Sequence, residues 1–323
     1  MAFRLLFWLA LSAGAGTFEK PRAVPNQPFL AELIRPLSSS SLNWGSVHPN
    51  ELNPERALPL LQKAPAGLYA GVGSERVWIG AALAPRTTHV IFIDRNPTIV
   101  RYNRTNGALF QLAETLEEYK QLRLNASWNE WNSLLQSRGE SLPAETREVL
   151  ASRSNYLEWR EIQEANPLSF YSETMFAGSN YLKVPPLFSR LQRLAKRQRI
   201  RSVELDLEDR KAVAALAQAL KKTNVPLGVL DLSNIPYGYM GGNGMLQLLR
   251  SFSTIATEDS LLMSTQMLGP DWFYSGFRFG DLTSRGLEKG EGALRRFFSF
   301  PQRNPCWGRN MIVPREQLFA GGR

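Results

Sequence analysis

The sequence predicts an α/β domain on a doubly wound, mostly parallel sheet, and three observations carry that expectation. Apolar runs of strand length, such as Leu68–Val72, Val90–Ile93, Ile200–Leu205 and Leu227–Leu232, alternate with segments of helical composition. A glycine turn stands between the first two runs and opens a helix, giving strand, turn, helix, strand. Polar residues follow the strand tips in order: Asp94, Asp206 and Ser233. With 323 residues and 43% hydrophobic content, the chain can bury a sizeable core.

At the N-terminus, residues 1–15 read MAFRLLFWLALSAGA, a short apolar core followed by small residues. This is the pattern of a cleaved signal peptide, and the alternative is an apolar arm packed on the domain. Export and a cytoplasmic location therefore both stay open. Residues 16–58 are rich in Pro, Ser and Asn and read as an extended arm, with a helix start at Asn53-Pro54. The main domain is expected over 59–285, with a tail over 286–323.

Within that domain, Gly67–Val72 is the first buried strand. Gly71, Gly73 and Ser74 form the turn, Glu75–Leu83 the helix that Pro85 ends, and Val90–Ile93 the second strand. Asn96-Pro97 opens a further helix. Residues 117–180 break the rhythm: Trp128, Trp131, Tyr156 and their neighbours suggest two or three helices joined near Pro143, a helical insert between the second and third strands. Its tryptophans read as core of that insert, with a ligand platform as the alternative. The rhythm resumes with a helix over Pro185–Lys196, the strand ending at Asp206, a helix over Asp209–Lys222 and the strand Leu227–Leu232. A glycine-rich loop, a helix over Met245–Phe252 and a strand over Ser260–Thr265 follow. Trp272–Tyr274 and Phe277–Phe279 read as an antiparallel edge pair.

Several function classes are excluded or weakened by composition. The one cysteine, Cys306, rules out an internal disulfide framework and a cysteine-built zinc site. His48 and His89 are the only histidines, and neither stands in a hydrolase or metal motif, so no metal is expected. No stretch has the roughly 20 apolar residues of a membrane span. The net charge of +9 admits an anionic partner without choosing one. Arg190, Arg193, Lys196 and Arg197 share a helical face and read as solvated; Arg199 and Arg201 follow. No interleaved aromatics point to nucleic acid.

In an open parallel sheet the strand tips converge at the carboxyl edge, beside Gly71–Ser74. Asp94 lies ~20 residues beyond the turn, where a carboxylate can accept from ribose hydroxyls, and Asp206 can receive an exocyclic amine of a base. A nicotinamide dinucleotide fingerprint would need glycine at 76, where Arg76 stands. The turn resembles instead the first motif of class I S-adenosylmethionine-dependent methyltransferases, across residues ~58–280 of a Rossmann-type domain. That resemblance implies S-adenosylmethionine as cofactor, with Gly71 and Gly73 against its methionine part, Asp94 at the ribose and Asp206 at the adenine. GVGSERVWI, VIFIDRNPTIVRYN and VLDLSNI are more narrowly similar to an uncharacterised bacterial branch of methyltransferase-like proteins, a likeness that implies no acceptor.

Two departures stand out. Tyr69 occupies the position two before the first motif glycine, where an acidic residue is usual, and Glu75 replaces a third glycine. The loop after Leu232 resembles the acceptor motif of amine-methylating enzymes at Asn234-Ile235-Pro236-Tyr237. There Asn234 and Tyr237 would be the catalytic pair, with Ser233 beside the cofactor. The alternative is a turn in which Asn234 caps backbone and Tyr237 packs on the insert. The function expected is a methyltransferase-like protein that binds S-adenosylmethionine. A non-catalytic relative binding another small ligand or a protein partner is the alternative.

Overall fold

The computed structural model describes Leu30 and residues 53–165, 178–233, 235, 242–268, 271–289 and 310–315. The expected signal segment at 1–15 and the arm up to 52, apart from Leu30, lie outside these residues. A 3-10 turn at Pro54–Ala57 and the short α1 (Leu58–Leu61) lead into β1 (Gly67–Val72). Next come α2 (Glu75–Leu83), β2 (Thr87–Asp94) and α3 (Pro97–Leu112). Four helices follow among the described residues: α4 (Leu116–Leu124), α5 (Trp128–Arg138), α6 (Ala144–Ala151) and α7 (Arg153–Ala165). The chain continues through α8 (Pro185–Lys196), β3 (Ile200–Glu204), α9 (Arg210–Lys222), β4 (Leu227–Asp231) and α10 (Gly242–Ser253). It ends in β5 (Ala256–Leu268), β6 (Asp271–Arg278), α11 (Phe279–Lys289) and β7 (Met311–Ile312).

Among the described residues, seven strands form one sheet in the order β3-β2-β1-β4-β5-β6-β7. β1 to β5 run parallel, β6 is antiparallel to β5, and β7 is parallel to β6. Side chains alternate faces along each strand, and the two faces bury separate cores. Tyr69, Val90, Phe92, Val229 and Met263 pack with α2, α3 and α8. Leu68, Ala70, Ile91, Ile93, Leu230 and Leu262 pack with α9, α10 and α11. Thus β1 is followed by a helix on one face and its neighbour β4 by a helix on the other. The strand order reverses between them, so their carboxyl ends flank a crevice.

Three elements differ from expectation. The two tail segments are not a pair of strands but one strand, β6, which forms a hairpin with β5. β5 starts at Ala256 rather than Ser260, because the exposed Thr257, Glu258 and Asp259 mask its apolar period. A register shift falls there, and Ser260 Oγ bridges it, accepting from Thr257 N at 2.8 Å and donating to Leu227 O at 2.6 Å. Between α3 and residue 165 four helices stand where two or three were expected, since side-chain caps divide them. Thr115 accepts from Glu118 N, and Ser127 and Glu130 form a reciprocal capping box.

Candidate functional site

At the carboxyl ends of β1 and β2, the sequence-predicted residues meet around one turn. Gly71 ends the buried part of β1; a Cβ there would stand 2.7 Å from Val77 Cγ2, so glycine lets α2 pack directly on the strand. Gly73 has φ 97°, a conformation L-residues rarely adopt, and a Cβ on it would meet nothing within 4 Å. Ser74 is buried at the N-terminus of α2, and its carbonyl accepts from Val77 and Trp78.

The turn is held from both sides. Asn103 of α3 donates to Gly73 O at 2.9 Å and accepts from the Trp78 indole at 3.0 Å. Asp94, half-buried at the tip of β2, accepts from Asn96 N at 2.8 Å and also from the Gly73 and Arg95 amides. Burial raises its carboxyl above the ordinary value, and these amides partly offset that. Asp206 lies in the loop after β3, accepts from Glu208 N at 2.9 Å and stands 3.9 Å from Arg95, an exposed pair worth little. Ser233 follows β4 at φ 54° and donates its amide to Asp231 Oδ1 at 3.2 Å. Asn234 and Tyr237, the expected catalytic pair, lie outside the described residues.

Two buried ion pairs that the sequence reading passed over flank the turn. Arg76 meets the Asp231 carboxylate twice, Nη2 to Oδ1 at 2.5 Å and Nε to Oδ2 at 3.3 Å, and reaches Thr265 Oγ1 at 3.2 Å. Tyr69 donates to Asp231 Oδ2 at 2.6 Å, and burial together with that carboxylate pushes its phenol well up. Asp231 therefore ties β1, α2 and the start of the loop after β4 into one unit. Glu75 and Arg123, both with fully buried side chains, pair at 2.8 Å on the other side of the turn. Tyr102 and Tyr181 donate to the same carboxylate. Glu75 and Arg76 open a helix whose every residue is buried. Charges in such a helix must be paired, and the apolar run VWIGAAL was the signal available in the sequence.

Other expectations find their places. Trp131 and Trp159 are core: their indoles donate to Leu122 O and Arg123 O, each at 3.0 Å. Of the basic face, Arg193, Lys196 and Arg197 are exposed as expected, whereas Arg190 is half-buried and donates to Ala82 O near the end of α2. His89 is buried in the amino-terminal half of β2, away from the turn, and burial drops it to about 4. Among the described residues, no cluster of His, Cys, Asp and Glu could hold a metal, and no helix is long and apolar enough to cross a membrane.

Residues 47–267, more than half of the chain, match a domain of unknown function, DUF7790. The chain belongs to that family. The DUF7790 match takes in the glycine turn, Asp94, Asp206 and both buried ion pairs, and it ends within β5. Among curated proteins, none matches the chain.

Proposed function

We propose that this DUF7790 member is a Rossmann-type, methyltransferase-like protein that binds S-adenosylmethionine in the crevice between β1 and β4. The observation that carries the reading is Gly73, at positive φ with open space where a Cβ would stand, beside Asp94 at the strand-order reversal. That space suits a close ligand approach to backbone. The Asp94 carboxylate, raised by burial, gains from any vicinal diol that donates to it. Gly73 and Ser74 would lie against the methionine part, Asp94 at the ribose, and Asp206 with Ser233 at the crevice margin. When bound, the cofactor supplies an electrophilic methyl group. This chain's part is alignment and exclusion of water, with Asn234 and Tyr237 as the proposed acceptor contacts.

One observation favours a second reading, a non-catalytic relative that binds another small ligand. The Tyr69 hydroxyl and the Glu75 carboxylate, at the two positions where the motif departs, are committed to buried ion pairs. Neither can serve a cofactor amine without breaking one.

Calorimetry with S-adenosylmethionine and S-adenosylhomocysteine tests the first reading. Two lost hydrogen bonds to a charged group, at roughly 1.5–3 kcal/mol each, weaken binding about a hundredfold or more in Asp94→Ala. Asp94→Asn keeps an oxygen for the Gly73 and Asn96 amides and separates lost affinity from a loosened turn. Asp209→Ala is the control: Asp209 only caps α9, accepting from Lys211 and Ala212, so stability falls by about 1 kcal/mol while affinity holds. A wild type that binds neither ligand ends the cofactor assignment. Binding without methyl transfer to any offered amine favours the second reading.

A further inference from the structure

The amino-terminal edge of the sheet, at the opposite end of the strands from the crevice, is basic. β1 to β5 run parallel, so the stretches that lead into them gather at that edge. Residues 62–66, 84–86, 196–199 and 221–226 lead into β1, β2, β3 and β4, and they contain no acidic and no aromatic residue. On one face of the sheet α8 ends in Lys196-Arg197; on the other α9 ends in Lys221-Lys222. After each pair a residue at φ 55°, Gln198 or Asn224, turns the chain towards the next strand. Arg86 and Arg199 stand at strand entries, their carbonyls accepting from Gly67 N at 3.2 Å and Val90 N at 2.9 Å.

These charges are largely uncompensated. Lys63, Arg86, Arg197, Lys221 and Lys222 are exposed, and their side chains have no hydrogen bond or ion pair among the described residues. Lys196 is exposed and feels Glu118, which is itself bound to Arg138. Arg199 is lowered by burial and then by the like charge of Arg197. At the start of β5 the basic edge ends in Glu258 and Asp259, the latter 3.8 Å from Arg278. Cations favour helix C-termini, which accounts for the pairs on α8 and α9. It does not account for Arg86, beyond Pro85, or for Arg199.

The edge is also level. Gly67 pairs with Thr87, Leu68 with Leu227 and Leu227 with Ala256, so β1, β2, β4 and β5 start within one residue of one another. At ~4.8 Å between neighbours, these four starts span about 14 Å. Such an edge presents helix C-termini, short connections and no aromatic side chain. It therefore lacks the amides that grip phosphates, an element to enter a groove and a platform for bases. A plane of anionic headgroups requires none of these, only cations that reach it together.

We infer that this edge docks electrostatically on an anionic lipid surface, with the crevice beside Asp94 facing away from the bilayer. The six residues of β1 set the two edges roughly 20 Å apart. The inference does not rest on the cofactor reading.

Co-sedimentation of the full chain with vesicles tests it. Binding is expected to phosphatidylcholine vesicles with roughly one-third phosphatidylglycerol and not to phosphatidylcholine alone, and it weakens as salt rises from about 0.05 to about 0.3 M. Each cation at an anionic surface contributes roughly fivefold in affinity. The double variants Lys221→Gln, Lys222→Gln and Lys196→Gln, Arg197→Gln therefore each bind about 25-fold more weakly. Arg210→Gln, Lys211→Gln removes the same charge from the other end of α9 and leaves binding unchanged. None of these side chains has a hydrogen bond or ion pair to lose among the described residues, so Tm stays near that of wild type. Absence of binding to the anionic vesicles ends the inference. So does equal binding to neutral vesicles, which assigns the contact to the apolar stretch 5–11, or an equal loss in all three double variants, which assigns it to net charge. Retention on duplex DNA at a salt concentration that releases the vesicles assigns the edge to nucleic acid and overturns the inference as well.

Discussion

Replacing Glu75 by glutamine probes the buried ion pair that braces the glycine turn. The side chain opens α2 directly after Ser74, and its carboxylate accepts from Arg123 Nη2 at 2.8 Å, from Tyr181 at 2.7 Å and from Tyr102. Arg123 in turn donates to Tyr181 at 2.9 Å and Tyr119 at 3.1 Å and lies 5.5 Å from the Trp159 ring centre. Glutamine keeps the shape, removes the charge, turns one acceptor into a donor and leaves the guanidinium buried without a counter-charge. Removing one partner of such a pair costs about 3–5 kcal/mol, a large share of the ~5–15 kcal/mol that holds a domain folded. At roughly 2–4 °C per kcal/mol, Tm falls by about 6–20 °C.

Urea unfolding followed by tryptophan fluorescence reads the effect, since Trp78, Trp131 and Trp159 are all buried. Burial pushes the Glu75 carboxyl up, but Arg123 and the tyrosines outweigh it and hold it below the ordinary value. Its contribution is therefore complete above the unfolded-state value of 4.5 and is lost as pH falls below that. The double variant Glu75→Leu, Arg123→Met removes both charges at similar volume and recovers most of the loss. A Glu75→Gln protein within about 0.5 kcal/mol of wild type, or a double variant no better than the single, refutes the argument.

Two further outcomes follow from the same structure. Gly71→Ala drives a methyl to 2.7 Å from Val77 Cγ2 inside a full core and costs about 1–3 kcal/mol. In a Val77→Ala background the extra cost largely disappears, and additivity in denaturant titrations would show that the contact is not the cause. His89, held at about 4 by burial and then by Arg199, contributes stability that is whole above pH 6.5 and is lost as pH falls towards 4. The difference between wild type and His89→Gln should change by roughly 2 kcal/mol between pH 7 and pH 5. A pH-independent difference removes His89 as the cause.

Local pattern determined much of this protein. Strand-length apolar runs, glycines and helix punctuation made the alternation from β1 to β4 legible, and the Pro185–Lys196 helix has the bounds its sequence suggests. The motifs T-x-x-E at Thr115 and S-x-x-E at Ser127 also mark helix starts in the sequence. Position in chain order likewise set Asp94 beside the turn. Only the tertiary structure decided which charges are committed. Arg76 meets Asp231 across 155 positions and Glu75 meets Arg123 across 48, so no local window contains either pair. It alone decided that the tail strand turns back on β5, because an edge strand's partner depends on which neighbour has unpaired backbone.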